Sequence, residues 1–221
     1  MKRLRWLLWK DLVAETRSHE IVIGSTMFAL LLLFIFSFAL PVKKAPAESV
    51  NAALWTVVFF ASSLAFSRSF AKERDTGTLE TLLQMPADRG TLFVAKCISN
   101  FVFVALVEIV TVPLFAVFYN FSFLPVLLPF AGLLAIVTVG LVISGTFMGA
   151  LTAQAKGREV LLLLLLLPYA LPLFMTATAA TKNLLAGVGY GIAGAGVFVF
   201  LFFDVFLAIV LFALFELLME E

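Results

Sequence analysis

Long apolar runs separated by short polar breaks dominate the chain, and they set its architecture. The runs cover about 21–40, 50–67, 97–119, 125–151, 160–180 and 192–215. Each is close to the ~20 residues a helix needs to cross a hydrocarbon core about 30 Å thick. None alternates with the period of two that a barrel strand requires, so the pattern predicts six transmembrane helices. Pro41 closes the first run, Asn51 and Arg68 bracket the second, and seven consecutive leucines, Leu161 to Leu167, lie in the fifth.

Residues 2–19 follow a different rule. Arg3, Lys10 and Arg17 recur along one side of a helix, while Trp6, Leu8, Trp9, Leu12 and Val13 gather on the other. Basic residues and tryptophans together suit the headgroup region, which predicts an amphipathic helix lying in the membrane interface. A charged tail that only sets topology is the alternative. Lys2 to Arg5 also resembles the basic start of a signal peptide, but the following run of about 20 residues exceeds the 7–15 of a signal core. The first span is therefore expected to be retained.

Composition agrees with the pattern. Hydrophobic residues make up 63% of the 221 and charged residues 13%, against roughly 45–50% and 25% in soluble domains. The mean hydropathy is +1.12. A net charge of +1 leaves no broad basic face for nucleic acid. The single cysteine, Cys97, and the single histidine, His19, offer neither an intrachain disulfide nor a metal cluster. His19 reads as an interfacial residue and Cys97 as a small buried one. The chain has no G-x-x-x-x-G-K-[ST] phosphate loop, so no catalytic residue is assigned, and ATPase activity is expected in a partner.

Orientation follows from the lysines and arginines. With the N-terminus in the cytoplasm, twelve of the 15 fall inside: Lys2, Arg3, Arg5, Lys10, Arg17, Arg68, Lys72, Arg74, Arg89, Lys96, Lys156 and Arg158. Lys43, Lys44 and Lys182 fall outside. Both termini are thus expected in the cytoplasm, in a multi-pass protein of a cytoplasmic membrane.

The cytoplasmic loop at about 68–96 is the one long polar connection. Gly77 can end the helix leaving the membrane, and Thr78 can cap a new one with Glu80 in its first turn. Pro86 stops it. This short helix carries Leu79, Leu82 and Leu83 on one stripe and is too short to stand alone in water. Either it folds back on headgroups or on this chain's own spans, or it docks into a soluble partner's groove; docking is preferred.

The stretch Arg68…Phe70…Glu73…Gly77-Thr78-Leu79-Glu80…Leu83…Pro86…Ala95-Lys96 resembles the loop signature of the heme exporter protein B family. A second match runs from Gly157 and Val160 through Leu167-Pro168 and Leu171-Pro172 to the small residues ending at Ala180. That family supplies the membrane permease subunit of the bacterial cytochrome c maturation ABC complex. The resemblance implies an ABC-2 exporter-like, all-α integral membrane fold: six spans, the interfacial helix and a short cytoplasmic coupling helix, with residues 1–221 forming one permease domain. It implies a separate ABC ATPase subunit contacting Gly77, Leu79, Glu80, Leu82, Leu83 and Pro86, flanked by Arg68, Glu73 and Arg74. It further implies a heme-handling membrane protein, a small accessory subunit and a heme chaperone as partners. Heme is then a candidate substrate of the complex, ATP is bound by the partner, and this chain binds no cofactor or metal. A generic ABC-2 permease exporting a drug, lipid or glycan, and a non-transporting scaffold of a heme-delivery machine, are the competing readings.

Inside the spans, Glu108 and Asp204 stand near mid-membrane, where an isolated charge costs about 2.5–3.5 kcal/mol or more. They are read as acids that either line a pathway or hold helices together. Gly145-x-x-x-Gly149 and Gly187-x-x-x-Gly191 predict close helix approach. Gly189 to Gly194 matches G-x-G-x-x-G by letter only, since no strand precedes it. Pro168 and Pro172 remove two backbone donors and predict a bend in the fifth span, as a hinge or as a fixed shape.

Overall fold

A computed structural model describes residues 2–40, 46–75, 89–120, 123–153, 155–191 and 193–218. Its helices are α1 (Lys2–Ser18), α2 (Glu20–Ala39), α3 (Ala47–Asp75), α4 (Arg89–Tyr119), α5 (Leu127–Thr152), α6 (Arg158–Leu185) and α7 (Ala193–Leu218), with a 3-10 turn at Leu124–Val126 before α5. The six helices after α1 are each long and apolar enough to cross a membrane. The helical ends overrun the apolar runs. Residues 68–75 continue α3, and α4 starts at Arg89, because hydropathy marks the part that lipid or core requires, whereas the backbone stays helical until something breaks it.

One apolar core runs through α2 to α7. α3 is its axis: it packs against α2, α4, α5 and α6, and 72% of its apolar window is buried against 17% for α7. The remaining helices present Leu, Ile, Val and Phe outward, among them Phe38, Leu128, Met175 and Phe202, as expected where lipid is the solvent.

The helices alternate in direction, and side-chain ties at both ends fix the register. Arg68 near the end of α3 donates to the Glu20 carbonyl at the start of α2 at 3.0 Å. At the opposite end, Glu48 of α3 pairs with Lys182 of α6. Trp55, fully buried, donates its indole N–H to Thr181 of α6 at 3.1 Å. Tyr190, in the turn between α6 and α7, donates to the Pro129 carbonyl at 2.7 Å. Burial raises the pKa of that phenol, which keeps it a neutral donor.

His19 does more than the sequence suggests. It adopts a left-handed conformation (φ 53°) between α1 and α2, which histidine tolerates better than bulky or branched residues. The break lets α1 turn back, and Glu15 Oε1 accepts from the Ile21 and Val22 amides at 2.9 and 2.8 Å. The first amides of α2 therefore find a partner they would otherwise lack.

The glycine expectations divide. Gly145 and Gly149 do admit a close neighbour: Phe66 of α3 lies against the first, and a Cβ on Gly149 would meet the Phe70 ring at 2.9 Å. Gly187 and Gly189 have open space around them, and Gly191 abuts only a side chain of α6, where a Cβ would stand 2.8 Å from Asn183 Nδ2. All three have positive φ and form the turn between α6 and α7, where such backbone favours glycine. The tight approach of those two helices is at Gly196 instead, whose Cβ would stand 2.7 Å from Thr176 Cγ2.

Candidate functional site

Two regions bear on function: the ends of α3 and α4 that flank segment 76–88, and the polar contacts at mid-bundle. α3 has 29 residues and α4 has 31. At 1.5 Å per residue they reach about 44 and 46 Å, well beyond a core of about 30 Å. Both helices therefore outrun the apolar zone, and Asp75 and Arg89 end them on the side of the 76–88 segment. Gly77, Leu79, Glu80, Leu82, Leu83 and Pro86 lie outside the described residues, as does the short helix expected there. Glu73 and Arg74 sit in the final turn of α3. Arg68 has an intrachain role: its guanidinium fills the space left by Gly24 of α2, where a Cβ would come within 2.8 Å of Cζ.

The root of the loop is cross-tied. Lys96 of α4, almost fully buried, pairs with Asp11 of α1 at 3.0 Å. Its Nζ also stands 5.7 Å from the centre of the Phe70 ring of α3, a cation–π distance. Phe70 in turn rests on Gly149 of α5. Four helices thus meet within one turn or two of the loop's two ends. On α1, Leu12 packs toward the core while Trp6 and Trp9 face outward, 72% and 62% exposed. The apolar side seen in the sequence is therefore shared between the bundle and its surroundings.

At mid-bundle each acid has a partner on a different helix. Glu108 of α4 accepts from Thr138 Oγ1 of α5 at 2.6 Å. Asp204 of α7 accepts from the Tyr169 hydroxyl of α6 at 2.5 Å. Both carboxyls are buried. Thr138 and Gly140 are two residues apart on α5, hence about 200° apart around it. Gly140 lies against Asp204 and Tyr169, so the acids occupy opposite flanks of α5 and form two separate contacts. α6 is helical through Pro168 and Pro172, which bracket Tyr169 and leave the Leu164 and Pro168 carbonyls without their usual amide donors. A third proline, Pro113, lies within α4.

The sequence did not single out Tyr169, Gly140, Thr138 or Asp11. A tyrosine between two prolines in an apolar run was a usable signal for the first. Nothing in the spacing linked Asp11 to Lys96, 85 positions away. Among the described residues no three His, Cys, Asp or Glu side chains group as a metal site.

A bundle of six membrane-length helices, its acids paired across helix contacts and its one long polar loop carried on two overlong helices, defines a multi-pass helical membrane protein. Residues 2–218 match the family described as CcmB protein, and the chain belongs to that family. It is similar to Heme exporter protein B of Rhodobacter capsulatus, with 28% identity over 170 residues that cover 76% of this chain and 78% of the relative.

Proposed function

We propose that this chain is the membrane permease subunit of an ABC-type complex acting in cytochrome c biogenesis, with residues 1–221 forming one permease domain. The observation that carries the reading is the family match across residues 2–218, supported by a relative named Heme exporter protein B. A separate ABC ATPase docks at the 76–88 segment, chiefly on Glu80 and the Leu79, Leu82 and Leu83 stripe, with Glu73 and Arg74 at its edge. Arg68 acts indirectly, by holding the end of α3 to the start of α2. Movement of the ATPase reaches the bundle through the cross-tied root, where Lys96, Asp11 and Phe70 join α4, α1 and α3.

α1 lies in the cytoplasmic interface with Trp6 and Trp9 toward the headgroups, a disposition supported by their outward exposure. Both termini are cytoplasmic, in agreement with the distribution of lysines and arginines, and the membrane is the bacterial inner membrane. The complex further contains a heme-handling membrane protein and a small accessory subunit. Its ATP-driven output is the release of heme-loaded chaperone, and the proline-bracketed segment of α6 is its hinge.

A heme stain of denaturing gels from membranes of a strain lacking this gene tests the reading. The c-type cytochromes are expected to vanish while heme stays on its membrane-bound chaperone. A plasmid copy of the wild type restores them, and a Glu80→Lys copy present at equal level in the membrane does not. Normal c-type cytochromes in the deletion strain would overturn the assignment and favour a generic export permease.

A further inference from the structure

We propose that Asp204, together with Tyr169 and Ser144, forms a binding site for one exchangeable proton in the α5–α6–α7 interface. Asp204 is 1% exposed. Its Oδ1 accepts from Tyr169 at 2.5 Å, while Oδ2 is buried with no hydrogen-bond partner. Ser144 Oγ is likewise buried, with no donor at its lone pairs. It adjoins Tyr169 and sits one turn from Gly140 on the same face of α5, the face against which both Asp204 oxygens rest. A carboxylate there would have one donor for two oxygens in a medium that penalises each missing partner by kilocalories. A carboxylic acid resolves both defects: Oδ2–H becomes a donor, and Ser144 Oγ is the acceptor available on that face. In the loading step the carboxylate and a hydronium ion give the acid and water, and unloading reverses it.

Among the described residues no other charge is placed to compete for the role. α5 carries no ionisable residue. On α6 only Tyr169 lies against Asp204, since Arg158, Glu159 and Lys182 are near the helix ends. On α4, Lys96 is held by Asp11 and Glu108 by Thr138 on the opposite flank of α5, Arg89 opens the helix with Cys97 two turns on, and Tyr119 ends it. Gly140 is what makes room for the site: a Cβ there would stand 2.5 and 2.8 Å from the two Asp204 oxygens. The flanking prolines of α6 leave Tyr169 on the least constrained part of its helix; closer donation by its hydroxyl favours the carboxylate and releases the proton, and its withdrawal holds the proton in place.

Infrared spectroscopy of the full chain in lipid nanodiscs at neutral pH tests this, because the carbonyl stretch of a protonated carboxyl is resolved from amide and carboxylate bands. Wild type is expected to show a component that Asp204→Asn lacks, that shifts on transfer to heavy water, and that moves to higher frequency in Tyr169→Phe as the phenol donor is lost. The last variant keeps the test alive if Asp204→Asn does not fold. Identical spectra for wild type and Asp204→Asn from acid to alkaline pH would mean a permanently ionised group and overturn the proposal. So would a component that does not shift in heavy water, which marks a locked packing acid. A component that appears only when sodium is removed would assign the site to a metal cation instead. None of these outcomes depends on what the complex transports.

Discussion

Thr138 and Gly140 each serve a different acid, and they do so in opposite ways. Thr138 supplies a donor at 2.6 Å to Glu108, whereas Gly140 supplies room for Asp204 and Tyr169. Thr138→Val should leave a buried carboxyl without its partner and cost about 1–3 kcal/mol. The loss would be read as a lower melting temperature in detergent, with Thr138→Ser close to wild type. Gly140→Ala puts a methyl group into occupied space, and overpacking of this kind costs about 1–3 kcal/mol. Its melting temperature should fall as well, and the Asp204–Tyr169 contact should be lost. The acids were visible in the sequence because they interrupt apolar runs. Their partners were not, because a threonine and a glycine cost little anywhere in a membrane helix.

Among the elements, α1, α4 and α6 carry the clearest expectations. Lys96→Met removes the cation that ties α4 to Asp11 of α1, and breaking a buried pair costs about 3–5 kcal/mol. Asp11 retains Lys10 at 3.2 Å, so α1 should loosen from the bundle without unfolding. In a Trp55→Phe background, Trp6 and Trp9 fluorescence would then become more accessible to an aqueous quencher. For α6, Pro172→Ala restores an amide donor to the Pro168 carbonyl. If the segment is a hinge, this variant should be more heat-stable yet fail to restore c-type cytochromes; if it is only a shape, function should persist. The helices were legible at this scale to within a few residues at α2 and α5. The extra turns at the ends of α3, α4 and α6 were not, because polar residues such as those at 68–75 extend a helix without leaving an apolar trace.

For the whole molecule, the charge distribution predicts topology. Lys182→Cys should react with a membrane-impermeant maleimide in intact cells, and Lys156→Cys only after the membrane is opened. The reverse result would invert the bundle. The sequence by itself set out six runs fit to cross a membrane, because apolar length and composition are summed along the chain and need no partner, and its loop and fifth-span motifs carried the resemblance to the family. It also exposed the two mid-span acids as anomalies. Only the tertiary structure decided that α3 is the axis, that Arg68 and Lys96 are spent on contacts within the chain, that the glycines at 187–191 make a turn, and that Glu108 and Asp204 answer to different helices. Each of these is a choice among many chemically equivalent neighbours. That choice is made by packing at distances of a few ångströms between residues dozens of positions apart, which no local pattern encodes.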